Sequence, residues 1–391
     1  MDQNSLPPAK PPLAAWKPER CDRIALVLQG GGALGAYQAG VYQALHEAGL
    51  EPDWVNGVSI GAINAAIIAG NRPERRVERL REFWETITAR PGWMALPDGV
   101  PQPDGDWARQ FGNTISAFGA MALGQPGFFQ PHRINPWLSP RGATTAASFY
   151  DTAPLRETLL KLVDFDLLNS GTVRYAAGAV NVASGNFAYF DNNTIAIVPE
   201  HIMASGALPP ALPMTQIGTD WFWDGGLVSN TPLQHLLEQI GGANALVFQV
   251  DLFSSRGIVP RDMHEVLSRE KDIRFSSRTR LITDYFRHHY RLKVQLRDAL
   301  AKVPEDLLTE VERRLKEILS DLPEITILQM VYQQRAYEGQ AKDYEFSARS
   351  MREHWDSGYR DTERTLRHKD WLAMCPVEQG IVVHDIHRAE D

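Results

Sequence analysis

Ile24-Ala25-Leu26-Val27-Leu28-Gln29-Gly30-Gly31-Gly32-Ala33-Leu34-Gly35 is the stretch that decides the fold. Five apolar residues in a row, stopped by glycines, read as a strand buried on both faces of a sheet. Beyond the glycines, Leu34, Tyr37, Val41 and Leu45 fall at helical spacing, and Gly49 ends that helix as a C-cap. A second strand over 53–58 leads into a second helix over 59–69, which stops at Gly70. Strand, helix, strand and helix within about 50 residues mean a parallel α/β sheet.

Upstream, Pro7, Pro8, Pro11, Pro12 and Pro18 block regular structure, so residues 1–21 are expected to form a flexible arm. Downstream, 91–150 is rich in Gly and Pro and reads as an irregular insertion with one helix over 107–123, a lid or wall over the site. The sheet resumes over 174–182 and 188–198. A helix over 199–205, the loop Leu208 to Pro213 and a strand over 217–223 lead to Asp224. A helix over 232–239 and a strand over 245–250 follow. From about Pro260 the chain turns charged and helical, with one further strand at 325–330, a charged helix over 342–367 and an irregular tail. The expected division is an arm (1–21), a main domain (22–258) and a mostly helical region packed on it (259–391).

With 391 residues, 43% hydrophobic and 23% charged, the composition is that of a soluble globular protein. A net charge of −8 excludes a nucleic-acid partner, because nothing in it would match a phosphate backbone. Cys21 and Cys375 lie far apart and outside any metal-type spacing, so neither a disulfide framework nor a metal site is expected. The N-terminus lacks the pattern of a secretory signal, and no stretch reaches the roughly 18 apolar residues of a membrane span. A cytoplasmic location is expected.

Three short motifs carry chemistry. Gly57-Val58-Ser59-Ile60-Gly61 stands between a strand and a helix. A sharp turn there pushes the Ser59 hydroxyl out of the sheet, Gly57 and Gly61 clear the space around it, and the helix N-terminus favours developing negative charge. The bland reading is a tight turn with Ser59 as helix cap. Gly30 to Gly35 forms an anion nest at a helix start. Walker-type phosphate binding would need Lys and Ser or Thr after Gly35, where Ala36 and Tyr37 stand. Dinucleotide binding would need an acid at the far end of the second strand, where Ser59 stands instead. The remaining use is an oxyanion hole facing Ser59, and the bland reading is a glycine turn. The third motif is Asp224-Gly225-Gly226, where a partly desolvated carboxylate follows Trp221-Phe222-Trp223. Alone, it reads most simply as a turn. None of the 11 histidines sits at a glycine turn ending a strand.

In this order the three motifs resemble the patatin-like phospholipase family, as do Ala204-Ser205-Gly206-Ala207-Leu208-Pro209, Asn230 and Pro232. The resemblance covers about residues 22–252. It implies an α/β fold, a patatin-like three-layer sandwich with a mainly parallel central sheet plus a helical C-terminal extension. It implies calcium-independent attack on an acyl ester or lipid substrate without cofactor or metal. Ser59 would be the nucleophile and Asp224 the proton acceptor of a Ser–Asp dyad. Gly30, Gly31, Gly32 and Ala33 would form the oxyanion hole, with Gly57 and Gly61 at the elbow and Gly225 and Gly226 supporting Asp224. Leu34 stands where many members carry Arg or Lys, which removes a charge suited to an anionic head group. The rival readings are a Ser–His–Asp esterase, with His235 as a candidate base, and a non-catalytic lipid-binding or effector protein on the same fold.

Between Arg274 and Arg297 seven Lys or Arg meet one acid, Asp284, interspersed with Ile282, Tyr285, Phe286, Tyr290, Leu292 and Leu296. Such a basic amphipathic segment suits peripheral contact with an anionic membrane, or a solvated helix packed on the main domain. The long charged helix near the C-terminus is compatible with a homodimer.

Overall fold

The computed structural model describes residue 6 and residues 9–89, 106–335 and 337–387. The first apolar run forms β1 (Arg23–Leu28). Gly32–Gly35 winds as a 3-10 turn, so α1 (Ala36–Glu47) starts two residues later than its spacing predicts. Next come β2 (Trp54–Val58), α2 (Ile60–Ala69), α3 (Pro73–Thr88) and α4 (Asp106–Leu123). The short strands β3 (Gln130–Pro131) and β4 (Tyr150–Asp151) pair with each other. After them run α5 (Ala153–Leu162), α6 (Phe165–Asn169), β5 (Arg174–Asn181), β6 (Phe187–Asp191) and α7 (Pro199–Ser205). The hairpin β7 (Thr215–Ile217) and β8 (Asp220–Asp224) leads to α8 (Leu233–Gln239) and β9 (Ala245–Asp251). The last third holds α9 (Met263–Phe275), α10 (Thr279–Leu300), α11 (Glu310–Ser320), β10 (Ile325–Val331), α12 (Ala348–Thr365) and β11 (Ile381–Asp385).

Nine strands form one sheet in the order β11-β10-β9-β1-β2-β5-β8-β7, with β6 also paired to β5. The neighbours from β11 to β5 are all parallel. Strands β6 and β8 run antiparallel to β5, and β7 antiparallel to β8. Side chains alternate along β1: Ile24, Leu26 and Leu28 enter the larger core, while Ala25 and Val27 enter the smaller one on the other face. Helices α1, α2, α3 and α12 cover the first face, and α8 covers the second together with Ile282 and Phe286 of α10. The result is a three-layer α/β sandwich with a mainly parallel sheet.

Four sequence expectations change. The run 188–198 is a strand only to Asp191, whose carbonyl then accepts the Thr194 and Ile195 N–H groups in a turn. The expected single strand over 217–223 is a hairpin, turned at Gly218 with φ +61°. The charged helix starts later than expected, because Lys342–Tyr344 is a 3-10 turn and Ser347 caps α12 by accepting the Ser350 N–H. The tail read as irregular contains β11, parallel to β10, a strand whose mixed sequence Ile-Val-Val-His-Asp gives a weak signal.

Helix α12 crosses α1 at contact distance. A Cβ on Gly40 would lie 1.9 Å from the Trp355 carbonyl oxygen, and one on Gly358 2.0 Å from that of Tyr37. Polar pairs tie the crossing: Tyr37 Oη donates to Asp361 (2.8 Å), and Trp355 Nε1 donates to Gln43 (2.8 Å). The basic segment 274–297 spans the end of α9 and most of α10. Arg287 Nε donates to the Ile381 carbonyl (3.0 Å), while Leu281, Tyr285, Leu292 and Leu296 stay exposed. Among the described residues no helix is long and apolar enough to cross a membrane.

Candidate active site

Ser59 occupies the turn between β2 and α2 with φ 56° and ψ −125°. A non-glycine residue held in such a region costs on the order of 1–3 kcal/mol and persists only where its surroundings enforce it. Here they do. The Ser59 N–H donates to Ser205 Oγ (3.0 Å), which donates in turn to the Gly178 carbonyl (2.6 Å). Gly57 and Gly61 let β2 and α2 close on each other, since a Cβ on Gly57 would lie 2.3 Å from the Gly61 carbonyl oxygen.

Sheet register brings Asp224 to Ser59. Strand β5 pairs with β6 along one edge, Gly178 opposite Tyr189 and Ala179 opposite Ala188. Its other edge is shared by two strands running toward each other. Strand β2 ends with Val58 beside Gly178, and β8 ends with Asp224 beside Ala179. Two chain ends meeting at consecutive positions of β5 put residue 59 and residue 224 together.

Asp224 is buried, and its Oδ1 accepts the Gly226 N–H at 2.7 Å. Burial pushes its carboxyl up to about 7, while hydrogen bonds from the Ser59 side chain and the Gly226 N–H pull the other way and fall short. Gly225 presses on the Gly178 carbonyl, where a Cβ would lie 2.5 Å away.

The glycine loop forms a third wall. Gly30 is clasped by Asn230: its N–H donates to the Asn230 carbonyl (3.1 Å), and Asn230 Nδ2 donates to the Gly30 carbonyl (3.0 Å). Gly32 has φ +53°, and a Cβ there would lie 2.2 Å from the Asp343 carbonyl oxygen, so both conformation and space demand glycine. The Gly31 and Gly32 N–H groups have no acceptor among the described residues. Gly30, Gly31 and Gly32 line the pocket at Ser59, and Ala33 does not. Ala33 is buried behind the loop, with its carbonyl 3.4 Å from His354 Nδ1; the far nitrogen of that ring meets Glu338 at 2.8 Å.

The pocket, about 790 Å³ including its mouth, is mostly apolar. Phe128, Phe129 and Tyr150 come from the insertion, Leu208 and Leu212 from the loop after α7, and Tyr344 and Phe346 from the C-terminal third. Their rings pack on one another, Phe129 to Tyr150 at 4.8 Å and Phe128 to Phe346 at 6.0 Å between centroids. Two crossed ion pairs hold the C-terminal wall to α9: Lys271 to Asp343 and Lys342 to Asp272, each at 2.5 Å. Among the described residues, no histidine, lysine or arginine lines the pocket. His235 instead stacks on Tyr189 at 3.8 Å and faces Asp191 at 3.4 Å. Among the described residues no group of His, Cys, Asp or Glu is arranged to hold a metal ion.

The residues proposed from sequence, Ser59, Asp224 and Gly30 to Gly32, thus converge on one pocket, with Gly57, Gly61, Gly225 and Gly226 packed around it. Ser205 and Asn230 fall in stretches that resemble the family but carry no signal of their own role; the insertion does wall the site as expected, through Phe128, Phe129 and Tyr150, while its continuation through Tyr344 and Phe346 was not expected. That wall is drawn from three distant segments, none with a motif of its own.

A family model described as patatin-like phospholipase matches residues 26–237, and a second, described as patatin phospholipase, matches residues 273–378. Patatin-like phospholipase domain-containing protein 6 of Homo sapiens is 46% identical over 67 residues, 17% of this chain and 5% of that protein. Neuropathy target esterase sws of Drosophila melanogaster is 35% identical over 101 residues, 26% of this chain and 7% of that protein. The matches therefore span a small part of these relatives' length. Among solved structures, VipD from Legionella pneumophila aligns over 92% of this chain and 71% of its own, at 13% identity and a TM-score of 0.36.

Proposed function

The chain belongs to the patatin-like phospholipase family, and from that premise we propose that it is a serine lipid acyl hydrolase working through a Ser59–Asp224 dyad. The observation that carries the reading is the meeting of β2 and β8 on one edge of β5, which sets a strained serine against a buried carboxyl that has no cation beside it among the described residues.

In this mechanism Ser59 Oγ attacks the acyl carbonyl carbon as Asp224 takes its proton. A carboxyl near 7 is a far better base at neutral pH than an ordinary aspartate. The tetrahedral oxyanion accepts hydrogen bonds from Gly31 and Gly32 N–H groups. Collapse breaks the ester C–O bond, and Asp224 returns the proton to the departing alcohol. Water then attacks the acyl-enzyme with Asp224 again as base, releasing the fatty acid and restoring Ser59. The aromatic wall takes the acyl chain. With no cation among the described residues that line the pocket, the part of the substrate held there is uncharged, which favours a neutral acyl ester over an anionic head group.

Hydrolysis of a chromogenic ester series of increasing chain length tests the proposal. Wild type turns over these esters, Ser59→Ala loses activity by about 10⁴-fold, and His235→Ala keeps it. Full activity in Ser59→Ala, or loss in His235→Ala alone, refutes the dyad. No turnover of any ester supports the non-catalytic alternative.

A further inference from the structure

The insertion that supplies Phe129 and Tyr150 to the pocket also carries an apolar knuckle. Between β3 and β4 the chain makes an excursion whose tip is a 3-10 turn, Pro136–Leu138. Trp137 is 86% and Leu138 79% exposed, and Ile134 beside them is exposed as well. Solvent-facing apolar residues are ordinary when scattered singly, but three at one tip, one a tryptophan, mark a contact surface.

The knuckle is built rather than loose. Asn135 caps it, its Oδ1 accepting the Trp137 N–H (3.0 Å) and its carbonyl the Leu138 N–H (2.9 Å). Ser139 Oγ meets Thr145 Oγ1 at 2.9 Å, and His132 Nε2 meets Ser148 Oγ at 3.1 Å across the excursion. At its base the Tyr150 N–H donates to the Ala211 carbonyl (3.0 Å), tying the excursion to another pocket wall.

Its charge is one-sided. From Gln130 to Phe149 there is no acid, while Arg133 and Arg141 are exposed, in a protein of net charge −8. Neither arginine has an acidic partner among the described residues. Tryptophan with leucine and isoleucine, flanked by unpaired arginines, is the chemistry that enters a lipid headgroup layer.

We propose that the Ile134–Leu138 knuckle docks the protein on an anionic lipid surface, with the Ser59 pocket at its base. Delivery of an acyl chain to Ser59 rests on the hydrolase reading, whereas the docking itself does not. Full-length protein is floated with phosphatidylcholine vesicles with and without phosphatidylglycerol, at low and high salt. Wild type and Ser59→Ala bind the mixed vesicles equally, and less tightly at high salt. Trp137→Ala with Leu138→Ala weakens binding by about 100-fold, near tenfold for each side chain withdrawn from lipid. Arg133→Glu with Arg141→Glu removes the preference for anionic vesicles, at least about fivefold per arginine. All four side chains are exposed, so thermal unfolding stays at the wild-type value. Hydrolysis of a water-soluble short-chain ester is unchanged in the knuckle variants, while hydrolysis of an ester held in vesicles falls.

The proposal is overturned if wild type does not bind, or if the knuckle variants bind as wild type. It is also overturned if binding is lost only with Arg291→Glu and Lys293→Glu, which assigns the contact to α10. Conversion of a dimer to a monomer by Trp137→Ala, with vesicle binding intact, makes the knuckle a self-association surface instead. Should wild type hydrolyse no ester at all, the hydrolase reading fails, and the flotation result still decides the docking.

Discussion

Two buried aspartates flank β5 and meet opposite fates. Asp191 ends β6 opposite Ala176, and Asp224 ends β8 opposite Ala179. They are 3% and 2% exposed, so burial acts on both in the same direction. At Asp191 burial is outweighed by hydrogen bonds from His235 and from Arg174, at 2.6 Å, and the carboxyl is held at about 2. At Asp224 the opposing hydrogen bonds come only from neutral groups, and the carboxyl rises to about 7. One edge of the strand makes an ion pair, and the other leaves a carboxyl with only neutral partners among the described residues. The partner decides, because a full positive charge offsets desolvation and a hydroxyl or amide dipole does not.

The sharpest way to break this comparison is to neutralise each carboxyl in turn. Asp224→Asn lowers kcat/KM for an ester by about 10³-fold or more, while Asp191→Asn leaves it near wild type. Equal losses would mean that both acids serve the fold.

A pH profile reads the same contrast with a smaller effect. A base must be deprotonated, so wild-type kcat/KM rises about tenfold per pH unit below 7 and levels off above it. A rise centred near pH 4 would remove the special status of Asp224.

Stability is the smallest and most discriminating readout, because the signs are opposite. Asp224 has its folded value raised from 3.8, so its contribution is full below about pH 4 and lost as pH rises through about 7. Asp224→Asn therefore melts above wild type at pH 8 and loses that advantage toward pH 4. Asp191 has its folded value lowered, so its contribution is present above about pH 4 and lost as pH falls through about 2. Asp191→Asn leaves Arg174 without its carboxylate and costs about 2 kcal/mol at pH 7, by denaturant unfolding. Matching signs for the two variants would refute the assignment.

Much of the site was legible because its chemistry forces local signatures. A serine on a strand-to-helix elbow needs glycines on either side, and an oxyanion loop needs a row of them, so Gly57 to Gly61 and Gly30 to Gly32 announce themselves. Asp224 was readable only through its neighbours Gly225 and Gly226. The register that brings it to Ser59 was not readable, since it depends on which edge of β5 the hairpin β7–β8 joins. Strand β11 and the pocket wall at Tyr344 and Phe346 escaped for a related reason. Pairing of β11 with β10 and packing of Phe346 on Phe128 are long-range choices with no periodic trace in the local sequence. Ala33 sits inside the motif, yet it is buried and does not line the pocket as Gly30 to Gly32 do.

The approach of His354 to the Ala33 carbonyl joins residues 321 positions apart. Gly32 is likewise pinned against Asp343, so the glycine loop takes its shape from chain synthesised long after it. A growing chain can lay down β1, β2 and the Ser59 elbow early, and Asn230 can then clasp Gly30, yet the contacts of Gly32 and Ala33 wait for Asp343 and His354. The shape of the glycine loop is thereby tied to the C-terminal third, and a chain cut before Asp343 would keep the Ser59 elbow while losing two of the contacts that hold that loop.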